Sequence, residues 1–198
     1  MTILGLILAG GRATRMGGAD KGLKRFAGDP LALRAWKRLA PQADGVLLSA
    51  NRSFDEYRAV MPPEVPILKD LREGFPGPLA GLEAALAAVP EAKRAETWVA
   101  TVPCDCPFFP EDLISRLRSA AEAAGKPALA SAGGNLQPSF MLIRADALPS
   151  LQAFLDADGH RLRAWLMSLG AVTVEWDDER AFLNCNTIEE LEAAQSPA

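Results

Sequence analysis

Short apolar runs alternate with amphipathic stretches along the first half of this 198-residue chain. We interpret the runs as strands, which cover Ile3–Leu8, Val46–Ser49, Val65–Leu68 and Thr97–Val102. Between the strands, apolar residues recur at helical spacing, namely Leu33, Trp36 and Leu39, and later Leu79, Leu82, Leu86 and Val89. This alternation predicts an α/β fold in which helices cover both faces of a mostly parallel sheet.

The second half of the chain is less regular but continues the pattern. Pro110, followed by two acidic residues, predicts the start of a helix that ends at Gly125. Gly133-Gly134-Asn135 predicts a chain reversal. The other predicted elements are strands over Ala128–Ser131, Ser139–Ile143 and Ala171–Trp176, a helix over Arg161–Leu169, and a last helix after the capping box Thr187-x-x-Glu190. No linker or repeat is visible, so we expect a single domain over residues 1–198, with halves of about 1–107 and 108–198.

Composition excludes several classes of protein. With a formal net charge of −4, the protein lacks the positive electrostatic field that nucleic-acid binding needs. No apolar run is long enough to span a membrane, and the first run leads into a glycine loop as a buried strand does, not as a signal peptide does. The cysteines, Cys104, Cys106 and Cys185, form neither a disulfide framework nor a zinc knuckle, which predicts a reducing, cytoplasmic location.

A glycine-rich, basic loop follows the first predicted strand. Gly10 and Gly11 allow the backbone to approach a ligand and to present its amides to phosphate oxygens. Three cations follow, and they are Arg12, Arg15 and Lys21. The loop is not a Walker A motif, because Gly22 stands where that motif needs Ser or Thr. A flexible basic surface turn is the alternative, but the position directly after a buried strand favours a phosphate site.

Two carboxylates follow other predicted strands, at the sheet edge where α/β proteins bind ligands. Asp105 comes just after Thr97–Val102, and its hard oxygens suit Mg²⁺ that also binds substrate phosphates. Asp70 follows the third predicted strand, and its carboxylate is a candidate to accept hydrogen bonds from a nucleobase or sugar. Turn-forming or helix-capping roles are the alternatives for both. Gly77, in a proline-rich loop before a helix, allows close approach of a ligand.

Three segments together resemble the molybdenum cofactor guanylyltransferases, the MobA family. They are Leu8-Ala9-Gly10-Gly11 with Arg15-Met16-Gly17 and Asp20-Lys21, then Pro76-Gly77-Pro78-Leu79-Ala80-Gly81, then Pro103-Cys104-Asp105. The resemblance spans nearly the whole chain and implies a three-layer, Rossmann-like nucleotidyltransferase fold. It implies transfer of GMP from GTP to molybdopterin, with Mg²⁺ as cofactor and pyrophosphate as the second product. Proteins that insert molybdenum or receive the cofactor are the partners it implies, and we expect a monomer.

The resemblance also assigns nucleotide contacts, which fall on Leu8, Ala9, Gly10, Lys21, Asp70 and Asp105, with magnesium on Asp105. Gly11 belongs to the same loop, and we expect Lys21 and Arg15 to stabilise the departing pyrophosphate. One contact departs from the family, because Ser49 stands where an asparagine is frequent. Serine is shorter, so we expect a weaker or water-mediated contact there.

The acceptor half is less specific in sequence. Candidate pterin contacts are Gly77, Gln137, Arg161, Asn184 and Asn186, although solvated charges and structural asparagines would give the same pattern. Three other functions remain open: a cytidylyltransferase acting on the same pterin, a nucleotidyltransferase for sugar or alditol phosphates, and a nucleotide-binding regulator without turnover.

Overall fold

The computed structural model describes residues 1–10, 20–73, 77–185 and 190, and within them nine strands and six helices. The strands are β1 (Thr2–Leu8), β2 (Arg25–Phe26), β3 (Asp29–Pro30), β4 (Gly45–Ser49), β5 (Ile67–Leu68), β6 (Thr97–Pro103), β7 (Ala128–Ala132), β8 (Asn135–Arg144) and β9 (Val172–Trp176). The helices are α1 (Leu31–Leu39), α2 (Phe54–Val60), α3 (Pro78–Ala88), α4 (Leu113–Ala124), α5 (Leu148–Asp156) and α6 (Leu162–Ser168).

Seven of these strands form one sheet in the order β5-β4-β1-β6-β8-β7-β9. Only β8 runs antiparallel to its neighbours there, so the predicted mostly parallel sheet is confirmed. The short strands β2 and β3 form a separate hairpin across Ala27 and Gly28, both of which have positive φ.

Helices cover both faces of the sheet because the strand side chains alternate between two cores. In β1, Ile3 and Ile7 contribute to one hydrophobic cluster and Leu6 to the other. The first cluster includes buried side chains of α1, α2 and α4, and the second includes those of α3, α5 and α6. This is the predicted three-layer α/β architecture. No helix in the described ranges is long and apolar enough to cross a membrane.

Two prolines shift element boundaries from their predicted positions. The third strand covers only Ile67–Leu68, because Pro66 has no N–H to donate to the ladder, although its carbonyl accepts from Leu48. The helix expected at Pro110 begins at Leu113, after a turn in which Leu113 N–H donates to the Pro110 carbonyl.

Glycines end helices or reverse the chain direction at the positions that the sequence predicts. Gly125 and Gly170 have φ of 63° and 67° and follow α4 and α6 closely, while Gly133 and Gly134 form the β7–β8 reversal. The hairpin β2–β3 and helices α2 and α5 have no counterpart in the sequence interpretation. The final predicted helix lies almost entirely outside the described residues.

The sheet and α1 approach each other closely at Gly5. A Cβ on Gly5 would lie 2.6 Å from Cδ2 and 2.8 Å from Cγ of Leu39, a side chain with no solvent exposure. Gly5→Ala should therefore lower the free energy of unfolding by about 1–3 kcal/mol, the usual cost of overpacking a core. Gly45→Ala is the matched strand control, since its Cβ would meet only Leu4 Cδ2 at 3.4 Å. Urea unfolding of both variants measures the difference, and equal stability would show that α1 can move away.

Candidate active site

The carboxyl ends of β1, β4 and β6 lie side by side. Leu8 pairs with Ser49 on one side and with Pro103 on the other. Hydrogen bonding continues past the strand ends, because Ala9 N–H donates to the Ser49 carbonyl at 2.9 Å and Cys104 N–H to the Leu8 carbonyl at 3.1 Å. The backbone at these strand ends is therefore fixed by its neighbours and not by loop side chains.

A cleft of about 280 Å³ opens at these strand ends. Its lining comes from the ends of β1, β4 and β6 and the residues after them, from β8, from the start of α3, and from two further segments: Leu8, Ala9, Gly10, Lys21, Ser49, Gly77, Pro78, Pro103, Cys104, Asp105, Ser139 and Asn184. Open α/β sheets bind ligands at this position. The lining includes six of the predicted nucleotide-site residues, namely Leu8, Ala9, Gly10, Lys21, Ser49 and Asp105.

Lys21 and Asp105 meet inside the cleft although they are 84 positions apart. Lys21 Nζ donates to Asp105 Oδ2 at 3.0 Å, with side-chain exposures of 39% and 15%. The Asp105 carbonyl accepts from Cys185 N–H at 2.8 Å, which holds the aspartate backbone in place. Solvent reaches the Lys21 side of this pair more than the Asp105 side. Both charges line the cleft, so a ligand that enters it can reach them.

A second ion pair involves Asp20, the residue that precedes Lys21. Asp20 is 4% exposed, and its Oδ1 accepts from Arg52 Nε at 2.6 Å. Next to it, a Cβ on Gly22 would lie 2.6 Å from the buried Tyr57 hydroxyl. The steric limit explains why glycine follows the lysine, where a Walker A loop has a hydroxyl residue. Asp20 has no role of its own in the sequence interpretation, although its position next to Lys21 marks it as a candidate for holding the lysine segment in place.

Asp70 lies beside the cleft and is not among its lining residues. Its Oδ2 accepts from Asn51 Nδ2 at 2.7 Å, and its backbone N–H donates to Asn51 Oδ1 at 3.0 Å. The Asn51 amide also lies against Gly10, since a Cβ on that glycine would be 3.2 Å from Asn51 Nδ2. Asn51, a residue without an assigned role in the sequence interpretation, therefore connects the first loop to Asp70. Burial raises the pKa of Asp70, and the Asn51 hydrogen bond opposes this shift.

The amino end of α3 closes one side of the cleft. Gly77 and Pro78 line it. One turn later, a Cβ on Gly81 would overlap the hydroxyl of Ser49, which is 2% exposed. The short side chain at position 49 is therefore packed under α3, where Gly81 leaves room for its hydroxyl.

Only part of the predicted acceptor site reaches the cleft. Asn184 lines it and accepts from Cys106 Sγ at 2.8 Å, and Gly77 lines the opposite side. Gln137 on β8 and Arg161 just before α6 do not line the cleft. Ser139 does, with its carbonyl accepting from the Thr101 hydroxyl at 2.7 Å, and the sequence reasoning missed it. Gly11, Arg12, Arg15 and Asn186 lie outside the described residues.

The thiols beside Asp105 are not nucleophiles. Burial, with a smaller contribution from the Asp105 charge, raises the pKa of the Cys104 and Cys106 thiols well above the ordinary range. Both therefore stay protonated at neutral pH. In the described part of the chain, no group of three or more His, Cys, Asp or Glu side chains could hold a metal ion. Among the described residues that line the cleft, only Asp105 offers a carboxylate, which suits a metal that arrives with phosphate ligands of its own.

Comparisons with known proteins agree with this geometry. A family model described as the MobA-like NTP transferase domain matches residues 5–173. The molybdenum cofactor guanylyltransferase of Bordetella petrii is 44% identical over 196 residues, covering 96% of this chain and 95% of the relative.

Two solved structures share the fold. Molybdopterin-guanine dinucleotide biosynthesis protein A from Archaeoglobus fulgidus has a TM-score of 0.75 at 19% identity, covering 97% of this chain and 96% of that one. The 2-C-methyl-D-erythritol 4-phosphate cytidylyltransferase of Francisella tularensis also has a TM-score of 0.75, at 14% identity and 98% coverage of both chains. At such low identities the likeness establishes the fold and not the substrate.

The Asn51–Asp70 contact predicts a measurable titration. Asn51→Ala removes the hydrogen bond that stabilises the Asp70 carboxylate, so the raised pKa of Asp70 should rise further. Carboxyl-carbon NMR across a pH series measures this. Asp29 is the internal control, because its hydrogen bond from Lys37 lowers its pKa, and this pKa should stay unchanged in the variant. An unchanged Asp70 pKa would show that Asn51 does not control its ionisation.

Proposed function

The chain belongs to the MobA-like NTP transferase family, and on this basis we propose that it transfers GMP from GTP to molybdopterin and releases pyrophosphate. The observation that carries the proposal is the Lys21–Asp105 pair inside the cleft at the carboxyl ends of β1, β4 and β6. A cation and a carboxylate at this sheet edge provide for the two needs of nucleotidyl transfer, a counter-charge for phosphate and a ligand for a metal.

The nucleotide phosphates would lie over the first strand end. Gly10 leaves the backbone open to close approach, and Lys21 supplies the charge. Lys21 would exchange its contact with Asp105 for a phosphate oxygen, since both groups line the cleft that the phosphates would enter. Arg15 and Gly11, outside the described residues, remain predicted contributors to the same subsite.

Mg²⁺ fits the cleft as a metal shared between the protein and its substrate. Asp105 is the residue that would hold it, because a carboxylate oxygen suits Mg²⁺ that arrives with the substrate phosphates. When bound, the metal would neutralise charge on the reacting phosphates. The protein itself binds, orients and screens the phosphates from bulk water. No general base is required, since the attacking phosphate of the acceptor is already an anion.

Guanine selection would depend on an acceptor for the N1–H and N2–H₂ donors on the pairing edge of guanine. The two candidates are a backbone carbonyl around Leu8–Ala9, which line the cleft, and the carboxylate of Asp70 beside it. Asn51 donates one hydrogen bond to the Asp70 carboxylate and accepts another from the Asp70 backbone N–H, which orients this side chain. Ser49, packed under α3, is too short and too buried for a strong contact with a base, so its role in the nucleotide site would be limited to shaping the floor of the cleft.

Asn184 and Gly77 line the cleft and would contact the acceptor, Asn184 from the segment after β9 and Gly77 from the residue before α3. We propose a division in which residues of about 1–107 hold the nucleotide and residues of about 108–198 contribute to the acceptor site, to which Gly77 is the contribution of the first half. Gln137, Arg161 and Asn186 stay as predicted contacts for an extended acceptor. A cytoplasmic monomer that meets molybdenum-insertion and molybdoenzyme proteins is the cellular setting we propose.

A cytidylyltransferase acting on the same pterin is the second candidate, because Lys21 and Asp105 in the cleft would serve the transfer of CMP as well as that of GMP. Pyrophosphate release with Mg²⁺ and molybdopterin, compared across GTP, CTP, ATP and UTP, separates the candidates. We expect release with GTP and little with the other three. A preference for CTP would assign the chain to the cytidylyl branch, and binding without turnover on any acceptor would identify a regulator.

Removal of either cleft charge should impair turnover. Lys21→Ala should lower kcat/KM for GTP by roughly 10²–10³-fold, the size of effect expected when one preorganised charge-stabilising donor is lost. Asp105→Asn should abolish Mg²⁺-dependent turnover while leaving the fold intact.

The exposed pair Lys37–Asp29, 2.6 Å apart on α1 and β3, provides matched controls. Lys37→Ala and Asp29→Asn should retain parental kinetics. Near-parental activity of Asp105→Asn would exclude this carboxylate as the metal ligand, and unchanged kcat/KM in Lys21→Ala would remove the lysine from the phosphate site.

A further inference from the structure

A buried carboxylate lies in α3, outside the cleft. Glu83 is 2% exposed on the helix whose amino end, Gly77 and Pro78, closes the cleft. A carboxylate at this depth is tolerated only with a charged partner. Any residue that neutralises Glu83 therefore controls whether α3 can stay packed in this position.

Arg72 supplies that charge from the loop between β5 and α3. Its Nε donates to both carboxylate oxygens of Glu83, at 3.0 Å and 2.9 Å. Its NH1 donates at 2.5 Å to Asp156, a residue with 67% side-chain exposure at the end of α5. The contact with Glu83 is largely desolvated and the one with Asp156 is not, so the first of the two fixes the position of Arg72.

Arg72 follows the nucleotide-site residue Asp70 by two positions. Asp70 is itself held by two hydrogen bonds to Asn51, so the short segment 70–72 is fixed at both ends. Leu71 between them is 60% exposed and contributes no buried anchor. The backbone position of Asp70 therefore depends on Arg72, which holds the C-terminal end of this segment against α3.

Glu83 and Asp70 also interact electrostatically. The negative charge of Glu83 is one of the causes that raise the pKa of Asp70, after burial. Arg72 places a positive charge against Glu83 and so reduces this repulsion. Loss of Arg72 would leave a buried, unpaired negative charge close to the nucleotide site and to the helix that closes it.

We propose that Arg72 is a positioning residue for the nucleotide: through the buried carboxylate of Glu83 it fixes both Asp70 and the amino end of α3 at the cleft. Arg72 does not line the cleft, so it acts through Asp70 and α3 and not by contact with the substrate. The inference rests on the proposed function for the identity of the ligand, GTP.

A double-mutant cycle tests this. The variants are Arg72→Leu, Glu83→Leu and the double variant, with GTP affinity measured by calorimetry at a temperature where circular dichroism shows each variant folded. Arg72→Leu should weaken GTP binding by about tenfold or more, with KM for molybdopterin changed less than about twofold. The double variant should recover GTP affinity to within about threefold of the parent, because two leucines fill the gap without a buried charge.

Controls separate this role from ordinary stabilisation. Arg118→Leu breaks the exposed pair with Glu122 on α4, 2.8 Å apart, and should leave GTP affinity unchanged. Asp156→Asn removes the charge of the exposed partner of Arg72 and should change GTP affinity by less than about twofold. If Arg72→Leu does not fold, Arg72→Lys, which keeps the charge but loses the two-oxygen contact, should show a smaller loss of GTP affinity.

Two results would overturn the inference. Parental GTP affinity in folded Arg72→Leu or Arg72→Lys would show that the arginine only stabilises the fold. A double variant as weak as Arg72→Leu would show that Arg72 does not act through Glu83. The proposed function fails separately, by absence of GTP binding or turnover in the parent chain.

Discussion

The parallel pairing of β1 with both β4 and β6 is the constraint on which the rest of the site depends. It places Leu8, Ser49 and Pro103 at one edge of the sheet, and the backbone hydrogen bonds beyond them fix how the following segments leave. Because each segment leaves at a fixed point, Lys21 and Asp105 meet although 84 positions separate them. Two apolar cores, one on each face of the sheet, stabilise this arrangement. The functional residues themselves contribute little to it.

The ion pairs around the cleft differ in burial, and the difference matches their roles. Asp20 and Glu83 are 4% and 2% exposed and are each held by an arginine, so neither pair can open without leaving a buried charge. The Lys21–Asp105 pair is more open to solvent, with side-chain exposures of 39% and 15%. The two buried pairs therefore hold segments around the cleft in place, while the pair inside the cleft can be reached by a ligand.

The sequence predicts the sheet, all seven of its strands and the cleft-lining residues of the first loop, because hydrophobic periodicity and glycine-rich strand ends are local signals. It does not predict Asn51 beside Asp70, Arg52 with Asp20 or Arg72 with Glu83, since each contact depends on how distant segments pack. The strand after Pro66 is shorter, and the helix after Pro110 begins later, than the local sequence pattern predicts, because backbone hydrogen bonding sets these boundaries. Ser49 illustrates the same limit: the sequence does not show that its side chain packs against Gly81 of α3.

The most direct test of the account is diffraction from a crystal grown with GTP and Mn²⁺, recorded at the manganese absorption edge. The account predicts an anomalous peak bonded to the Asp105 carboxylate, the triphosphate over Gly10, and Lys21 Nζ hydrogen-bonded to a phosphate oxygen. A nucleotide bound away from the ends of β1 and β6, with manganese on other carboxylates and the Lys21–Asp105 pair intact, would contradict it.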